Sequence, residues 1–403
     1  MRSRPARAFA VAALATLAFG CAAKRGPLAP STPTAAPIPV SCRPELTEPT
    51  KPDPGRTRIC VVDIGSRNVK LVIASLEEKN PRSYREERVC RARMGLGEKT
   101  FDNVSQRPRP LQAPDQDTLA RLLVDYAKQC ERDGGRVLGA VATEWARRAT
   151  NAEEVQKAIQ ARVGLGVEIL SRDREGRFGY LAATKGAQGR MVVDFGSRSF
   201  QLTWWPRGAA APQTASLPLG IDEVGDRFFS RTAYGNYRAA RLAYQGTLRE
   251  ALKPALAKMR SDLRRGTLGP ELLSLAENGD MALAVERKLW DRDTRRGVDE
   301  GGYGALIKAR TPTDTAEYGP VNSVMRASLL VALARAVESD DALFQELRSD
   351  RLKRIWGYKM LAYPAMLALL VEELGLRTVV LVPHEMPAGL VVDQLKANLA
   401  AAK

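Results

Sequence analysis

The chain has 403 residues, 44% hydrophobic and 27% charged, with 62 basic against 46 acidic side chains and a net charge of +16. That usage excludes wholesale disorder, collagen-like repetition and a polytopic membrane protein, and leaves room for two domains with buried cores. A lone histidine, His384, excludes a three-histidine metal cage, and five cysteines (Cys21, Cys42, Cys60, Cys90, Cys130) are too few and too scattered for a disulfide scaffold or a zinc ribbon.

In chain order, Arg2, Arg4 and Arg7 precede an apolar run from Ala8 to Phe19, closed by Gly20-Cys21. A basic start, a short apolar stretch and a small residue before the cut predict a secretory signal over 1–21. The run is too short to span a bilayer, which takes about 20 apolar residues. Cys21 at the cut resembles a bacterial lipobox, although Leu17 lies one place further from it than the usual pattern. That resemblance implies a lipid on the Cys21 thiol and membrane attachment, and Ala22 after it favours the outer membrane, facing the periplasm. Residues 22–55 hold nine prolines, a density that blocks helix and sheet ladders and predicts an extended tether. Most of the positive charge lies from Arg56 onward, which suits a polyanionic ligand. Without a recognition motif or a basic strip interleaved with aromatics, nucleic acid is not an expected partner.

An internal duplication organises the rest. Val61-Val62-Asp63-Ile64-Gly65-Ser66-Arg67-Asn68-Val69-Lys70-Leu71-Val72-Ile73 aligns without a gap on Val192-Val193-Asp194-Phe195-Gly196-Ser197-Arg198-Ser199-Phe200-Gln201-Leu202-Thr203-Trp204, identical at seven of thirteen positions. Each copy is an apolar β-branched run, an Asp-x-Gly turn and a second run, which predicts strand, tight turn, strand. Successive N–H groups in such a turn make an anion site, and the aspartate can hold a hydrated cation or order the turn. Two equivalent turns predict twin domains, 56–186 and 187–403, facing a phosphate ligand across a cleft.

Between the hairpins the pattern predicts a third strand near Glu87–Arg93, a helix from Asp115 to Arg132 and a strand over Arg136–Ala142. A helix capped by Asn151, a strand over Gly166–Leu170 and a helix capped by Ser171 follow. The second half repeats the hairpin, adds a strand ending in Ser216-Leu217-Pro218-Leu219-Gly220, then turns helical. Helices are expected at Met325–Val337 and Ala362–Leu374, a loop over Asp291–Glu317 and a last strand at Thr378–Val382. Cys60 and Cys90 fall in strand patterns and read as buried thiols; an envelope disulfide stays open, without a pairing.

The hairpin pair, the run from Val141 through Thr143-Glu144-Trp145-Ala146-Arg147-Arg148 to Asn151, Glu175-Gly176-Arg177 before Tyr180-Leu181, Ser216–Gly220, and Val382-Pro383 to Gly389-Leu390 together resemble the exopolyphosphatase/guanosine pentaphosphate phosphatase (Ppx/GppA) family. The resemblance runs from Arg56 to Asp393. It implies an α/β fold of two actin-like (ribonuclease H-like) domains facing each other across a cleft. The implied reaction is removal of terminal phosphate from polyphosphate or a related phosphorylated ligand, with Mg²⁺. By position, Glu175 is the catalytic glutamate. The first phosphate loop is Asp63, Gly65, Ser66, Arg67 and Asn68; the second is Asp194, Gly196, Ser197, Arg198, Ser199 and Gln201. Asp63 and Asp194 are the implied metal-facing carboxylates. Glu144 reads as a surface or supporting ion-pair residue near Arg147 and Arg148.

The departures from the family pattern concentrate at the second loop. Two of its glycines are Ser197 and Arg198, its terminal glutamate is Gln201, a later Gly-Gly-Thr loop is Asn278-Gly279-Asp280, and a late Arg-Glu pair is Pro387-Ala388. Arg67 and Arg198, at duplicate-equivalent positions, could face each other and take over phosphate neutralisation from Mg²⁺. Two function classes stay open: an exopolyphosphatase-type hydrolase, and a catalytically impaired phosphate-binding or scaffold lipoprotein. A homodimer is compatible with either.

Overall fold

Two hairpins seed two sheets, and one helix is wedged between them. The structure, a computed structural model, describes residues 40–44, 55–77, 80–102, 107–230, 233–275, 311–312, 323–326, 361–382 and 386–393, with positions 331, 335, 338, 344 and 345. The first hairpin brings together β1 (Val40–Pro44), β2 (Thr57–Ile64), β3 (Asn68–Glu77) and β4 (Asn80–Arg93). A short α1 (Leu96–Thr100), a small β5–β6 ladder (Phe101–Asp102, Arg107–Pro108) and α2 (Ala113–Arg132) follow. Then come β7 (Arg136–Ala142), α3 (Glu144–Arg148), α4 (Ala152–Val163), β8 (Val167–Ile169) and α5 (Arg172–Thr184).

The second half opens with β9 (Arg190–Phe195), β10 (Phe200–Trp205), β11 (Gln213–Leu217) and a short α6 (Ile221–Val224) that runs into a π-helical turn at Gly225–Phe229. It continues with α7 (Tyr237–Arg264), β12 (Glu271–Leu275), β13 (Thr311–Pro312), β14 (Ser323–Arg326), α8 (Ala362–Leu374) and β15 (Thr378–Val382).

The duplication is visible in the strand order. The first sheet runs β1-β4-β3-β2-β7-β8 and the second β11-β10-β9-β12-β15-β14-β13. Stripped of their extra edge strands, both are an antiparallel three-strand meander whose first strand pairs in parallel with a fourth, and the fourth in parallel with a fifth. The strands at the join are apolar on both faces, as central parallel strands must be. One face of the first sheet, with Val62, Ile64, Leu71 and Cys90, packs on α2 and α4 through Leu119, Leu123 and Val155. The matching face of the second, with Val193, Phe195, Phe200 and Leu202, packs on α7 and α8 through Leu248, Leu252, Met366 and Leu370.

The other faces meet α5. Ala182 packs with Ile59 and Val61 of the first sheet, whereas Tyr180 and Ala183 pack with Val192, Leu273 and Val380 of the second. Such close packing on both sides requires small residues. A methyl group on Gly176 would lie 2.7 Å from Thr203 Oγ1, and one on Gly389 would lie 1.8 Å from the Phe178 carbonyl oxygen. Ser171 caps α5 as expected, its hydroxyl accepting from the Arg174 N–H.

Several expectations are corrected. β1 lies inside the stretch expected to be a tether: its only proline is its last residue, and a sheet edge tolerates proline there. Apart from Gly55, the remainder of the signal and tether, Cys21 included, lies outside the described residues. Cys60 and Cys90 are not free thiols but half-cystines, joined to Cys130 and Cys42. Asn151 takes the expected N-cap position of α4, but its carboxamide oxygen accepts from the Leu111 N–H rather than from the helix. Met325 and Arg326, the start of the helix expected over Met325–Val337, instead close strand β14 beside β15, while positions 331 and 335 of that stretch are helical; within the expected loop Thr311–Pro312 adds the outer strand of this sheet. β12, which the helical reading of that region passed over, is the fourth strand of the second sheet. Positions 278–280, Pro383 and His384 lie outside the described residues.

Candidate active site at the paired turns

Each Asp-x-Gly turn is braced by the helix that follows its own third strand. In the first turn, the Gly65 N–H donates to the Asn68 carbonyl at 3.0 Å. The Ser66 carbonyl accepts from Gly97 at 2.7 Å, and the Arg67 carbonyl accepts from Met94 and Gly95 at 2.9 Å. The Ser66 hydroxyl accepts from the Trp145 N–H at 3.1 Å. In the second turn the Gly196 and Ser197 carbonyls accept from Ile221 and Asp222, both at 3.0 Å. Gly220 is needed there, because a methyl group on it would sit 2.1 Å from the Arg198 nitrogen.

The two turns converge. A methyl group on Gly97 would lie 3.0 Å from Ser66 Cβ and 2.9 Å from Arg198 Nε, so Arg198 reaches from the second turn into the neighbourhood of the first. It is buried to 2% exposure, with Nη1 3.9 Å from a Glu223 oxygen. Arg67 crosses the other way and donates to Asp222 Oδ1. Neither arginine points to solvent. Each is paired with a carboxylate of α6, so the charge of both arginines is already balanced within the chain. Burial lowers the Arg67 pKa, the Asp222 charge opposes this, and the neighbouring Arg93 adds to the lowering.

Glu175 sits on the first turn of α5, buried between the sheets. Its Oε1 accepts from the Ser199 hydroxyl at 3.2 Å and its Oε2 from Arg147 Nη2 at 2.6 Å. Burial pushes its pKa up; the Arg147 charge and hydrogen bond pull it down, Glu144 adds to the rise, and the net shift is upward. Glu144 is no surface residue: it is fully buried and holds three guanidinium groups. Its oxygens accept from Arg147 Nε and Arg148 Nε at 2.8 Å and from Arg172 Nη2 at 2.7 Å. Arg148 continues to Glu223 and to the Pro218 carbonyl. Burial works against the charged form of Glu144, but the Arg172 hydrogen bond, the Arg147 charge and the hydrogen bonds of Arg148 and Arg147 outweigh it and lower the pKa.

The remaining expected residues fall on the hairpins. Asp63 is buried with its Oδ2 4.0 Å from Lys70 Nζ, its cross-strand partner. Asn68 opens β3 opposite Arg93. Asp194 stands opposite Gln201 and faces Gly179 of α5. Sequence reasoning missed Asp222, Glu223 and Arg172 and undervalued Glu144. Asp222 and Glu223 directly follow the Ser216–Gly220 motif, but two acids at a helix start are ordinary dipole partners and carry no sequence signal of a site.

The carboxylates do not fit a resident Mg²⁺. Hard divalent ions take several anionic oxygens. Among the described residues no group of three acidic, histidine or cysteine side chains gathers in ligating geometry. Around the turns, Asp222, Glu175, Glu144 and Glu223 are each bound by arginine and Asp63 lies beside Lys70.

Two sheets of matching order, joined through a shared helix with paired Asp-x-Gly turns, define an actin-like α/β protein. Residues 100–275 match the sequence model of the Ppx/GppA phosphatase family, and the most similar proteins carry the same likeness. The chain is 23% identical over 347 residues to exopolyphosphatase 1 of Mycobacterium leprae, covering 85% of this chain and 90% of that one. It is 27% identical over 260 residues to an uncharacterised protein of Streptomyces coelicolor, covering 63% and 69%. In fold it resembles the Aquifex aeolicus Ppx/GppA family member (TM-score 0.56, 21% identity, 85% of this chain and 99% of that one). It also resembles an exopolyphosphatase from Cytophaga hutchinsonii (TM-score 0.59, 13% identity, 85% and 98%).

Proposed function

We propose that the chain is an exopolyphosphatase-type hydrolase that removes the terminal phosphoryl group of polyphosphate or a related phosphorylated ligand. The observation that carries this reading is the Glu175 carboxylate, buried and joined by one hydrogen bond to Ser199 of the second turn and by another to Arg147. A glutamate made more basic by burial suits a general base. In the reaction, a water oxygen bonds to the terminal phosphorus, its proton passes to Glu175, and the bond from that phosphorus to the bridging oxygen breaks. Orthophosphate and a chain one unit shorter leave. Turn amides and the guanidinium groups of Arg67 and Arg198 would face the phosphoryl oxygens, exchanging their α6 carboxylates for phosphate.

The chain's address supports an envelope role. The basic and apolar start before Cys21 reads as a lipoprotein signal, and two disulfides, Cys42–Cys90 and Cys60–Cys130, suit an oxidising compartment.

A second reading, a phosphate-binding lipoprotein without turnover, is favoured by one observation: both turn arginines are already neutralised and Gln201 carries no charge. Phosphate release from tripolyphosphate and long-chain polyphosphate decides between them. Release that disappears in Glu175→Gln establishes the hydrolase; binding of either chain with no release by the unaltered protein establishes the second reading.

A further inference from the structure

The second hairpin contains a buried amide that the described residues leave unsatisfied. Gln201 is 1% exposed, and neither Oε1 nor Nε2 has a hydrogen-bond partner among the described residues. Along β10, Phe200, Leu202 and Trp204 enter the core beneath α7 and α8. Gln201 therefore shares the opposite face with Thr203, which touches α5 at Gly176. Its cross-strand neighbours are Asp194 on one side and Ser216 on the other. The Ser216 hydroxyl is likewise buried without a partner. Ser199, two residues before Gln201 on the same strand alternation, holds Glu175. An unmet amide and an unmet hydroxyl side by side are costly in a protein interior, and such a pair signals a polar ligand that both accepts and donates.

The duplication sharpens the point. The position equivalent to Gln201 in the first hairpin is Lys70, whose ammonium lies 4.0 Å from Asp63. Each turn aspartate thus faces a cation or an amide across its strand pair, and neither faces a second carboxylate. Such a donor set favours phosphoryl oxygens over a hard cation.

We propose that Gln201 and Ser216 form a neutral seat for a phosphoryl group, so that this protein captures a phosphate chain without a divalent cation. The inference rests on the reading that the paired turns take a phosphorylated ligand. The Gln201 Nε2 and the Ser216 hydroxyl donate to phosphoryl oxygens, and the Gln201 Oε1 accepts from a protonated phosphoryl oxygen or from water.

The test is calorimetric titration of the full chain with tripolyphosphate in excess EDTA, repeated with Gln201→Ala and Gln201→Glu, with folding checked by circular dichroism. The unaltered chain is expected to bind in EDTA, Gln201→Ala to bind about tenfold more weakly, and Gln201→Glu more weakly still. Paramagnetic titration with Mn²⁺ is expected to reveal a site in Gln201→Glu, where two carboxylates would face each other, and none in the unaltered chain. Binding by the unaltered chain that EDTA abolishes and Mn²⁺ restores overturns the inference while leaving the functional reading intact, and this arm needs no variant. Affinity of Gln201→Ala within about twofold of the unaltered chain also overturns it, since a structural water would then account for the amide. Failure to bind tripolyphosphate under either condition removes the functional reading and the inference with it.

Discussion

Glu144→Gln tests whether the arginine cluster is held by one buried charge. The carboxylate takes hydrogen bonds from Arg147 and Arg148 at 2.8 Å and from Arg172 at 2.7 and 3.1 Å. An amide keeps one acceptor oxygen and turns its NH₂ toward a guanidinium group. Breaking a buried pair by removing one partner costs about 3–5 kcal/mol. The lower end applies here. Arg147 retains Glu175 and the Leu170 carbonyl, Arg148 retains Glu223, and the Arg172 side chain, 39% exposed, can turn to water. The expected loss is therefore about 3 kcal/mol at neutral pH, read from urea denaturation. Its pH dependence has a definite sign. The Glu144 pKa is lowered in the fold, so its contribution is complete above the ordinary glutamate value of about 4.3 and disappears as pH falls through the lower folded value. The gap between the two proteins should close in acid. A difference below about 0.5 kcal/mol at neutral pH, the size of an ordinary surface change, or a gap that widens as pH falls, would refute the reasoning.

Phosphate release should rise with pH through a value above the ordinary glutamate pKa, because Glu175 works deprotonated and its pKa is raised; Glu175→Gln should lower release by about 10²–10⁴. A rate–pH profile flat across that range would argue against Glu175 as the base. Replacing Cys60 and Cys130 with serine opens a link spanning 70 residues and should cost about 4 kcal/mol by chain entropy; unchanged denaturation would show that the link contributes nothing. Gly220→Ala should cost about 1–3 kcal/mol by forcing the second turn off α6, and an unaltered melting temperature would contradict the close approach. The Arg67→Ala/Arg198→Ala double variant should bind tripolyphosphate at least about tenfold more weakly, and equal affinity would remove both residues from the site.

Much of the fold was legible because period and punctuation coincide. The two Asp-x-Gly turns lie between β-branched runs, and both became hairpins at the expected places. Ser171 precedes a helix whose apolar residues recur on more than one side, and it caps a helix buried by two sheets. β12 was missed because Glu271–Leu275 is only five residues long and follows α7 closely, although Gly266 and Gly269-Pro270 mark a break between them. The Cys60–Cys130 link was unreadable because it joins a strand to the far end of α2, a proximity that only the folded sheet creates. The motif pointed to Glu175, and the sequence placed Glu144 in an ion pair with Arg147 and Arg148 but did not show its burial. Its neighbours Arg147 and Arg148 suggest a surface ion pair at helical spacing. Only the third guanidinium, from Arg172, and the packing of α3 against the sheet turn that pair into a buried hub.

The turn arginines and the α6 acids are one adaptation. Arginine cannot shed its proton inside a protein, so Arg67 and Arg198, placed where the two turns converge, bring permanent charge into a region that excludes water. Two consecutive acids, Asp222 and Glu223, stand at the start of the helix whose first amides already brace the second turn. One four-residue helix therefore fixes the turn by its backbone and balances both guanidinium groups by its side chains. A phosphate dianion entering between the turns would meet the same two cations, and the α6 carboxylates would be displaced from them. The order of dependence follows. The acids can be replaced by ligand, but the arginines cannot be left alone, so Asp222→Asn should destabilise the protein without phosphate and be rescued when tripolyphosphate is added. Destabilisation that tripolyphosphate leaves uncorrected would mean that phosphate does not exchange with the α6 carboxylates.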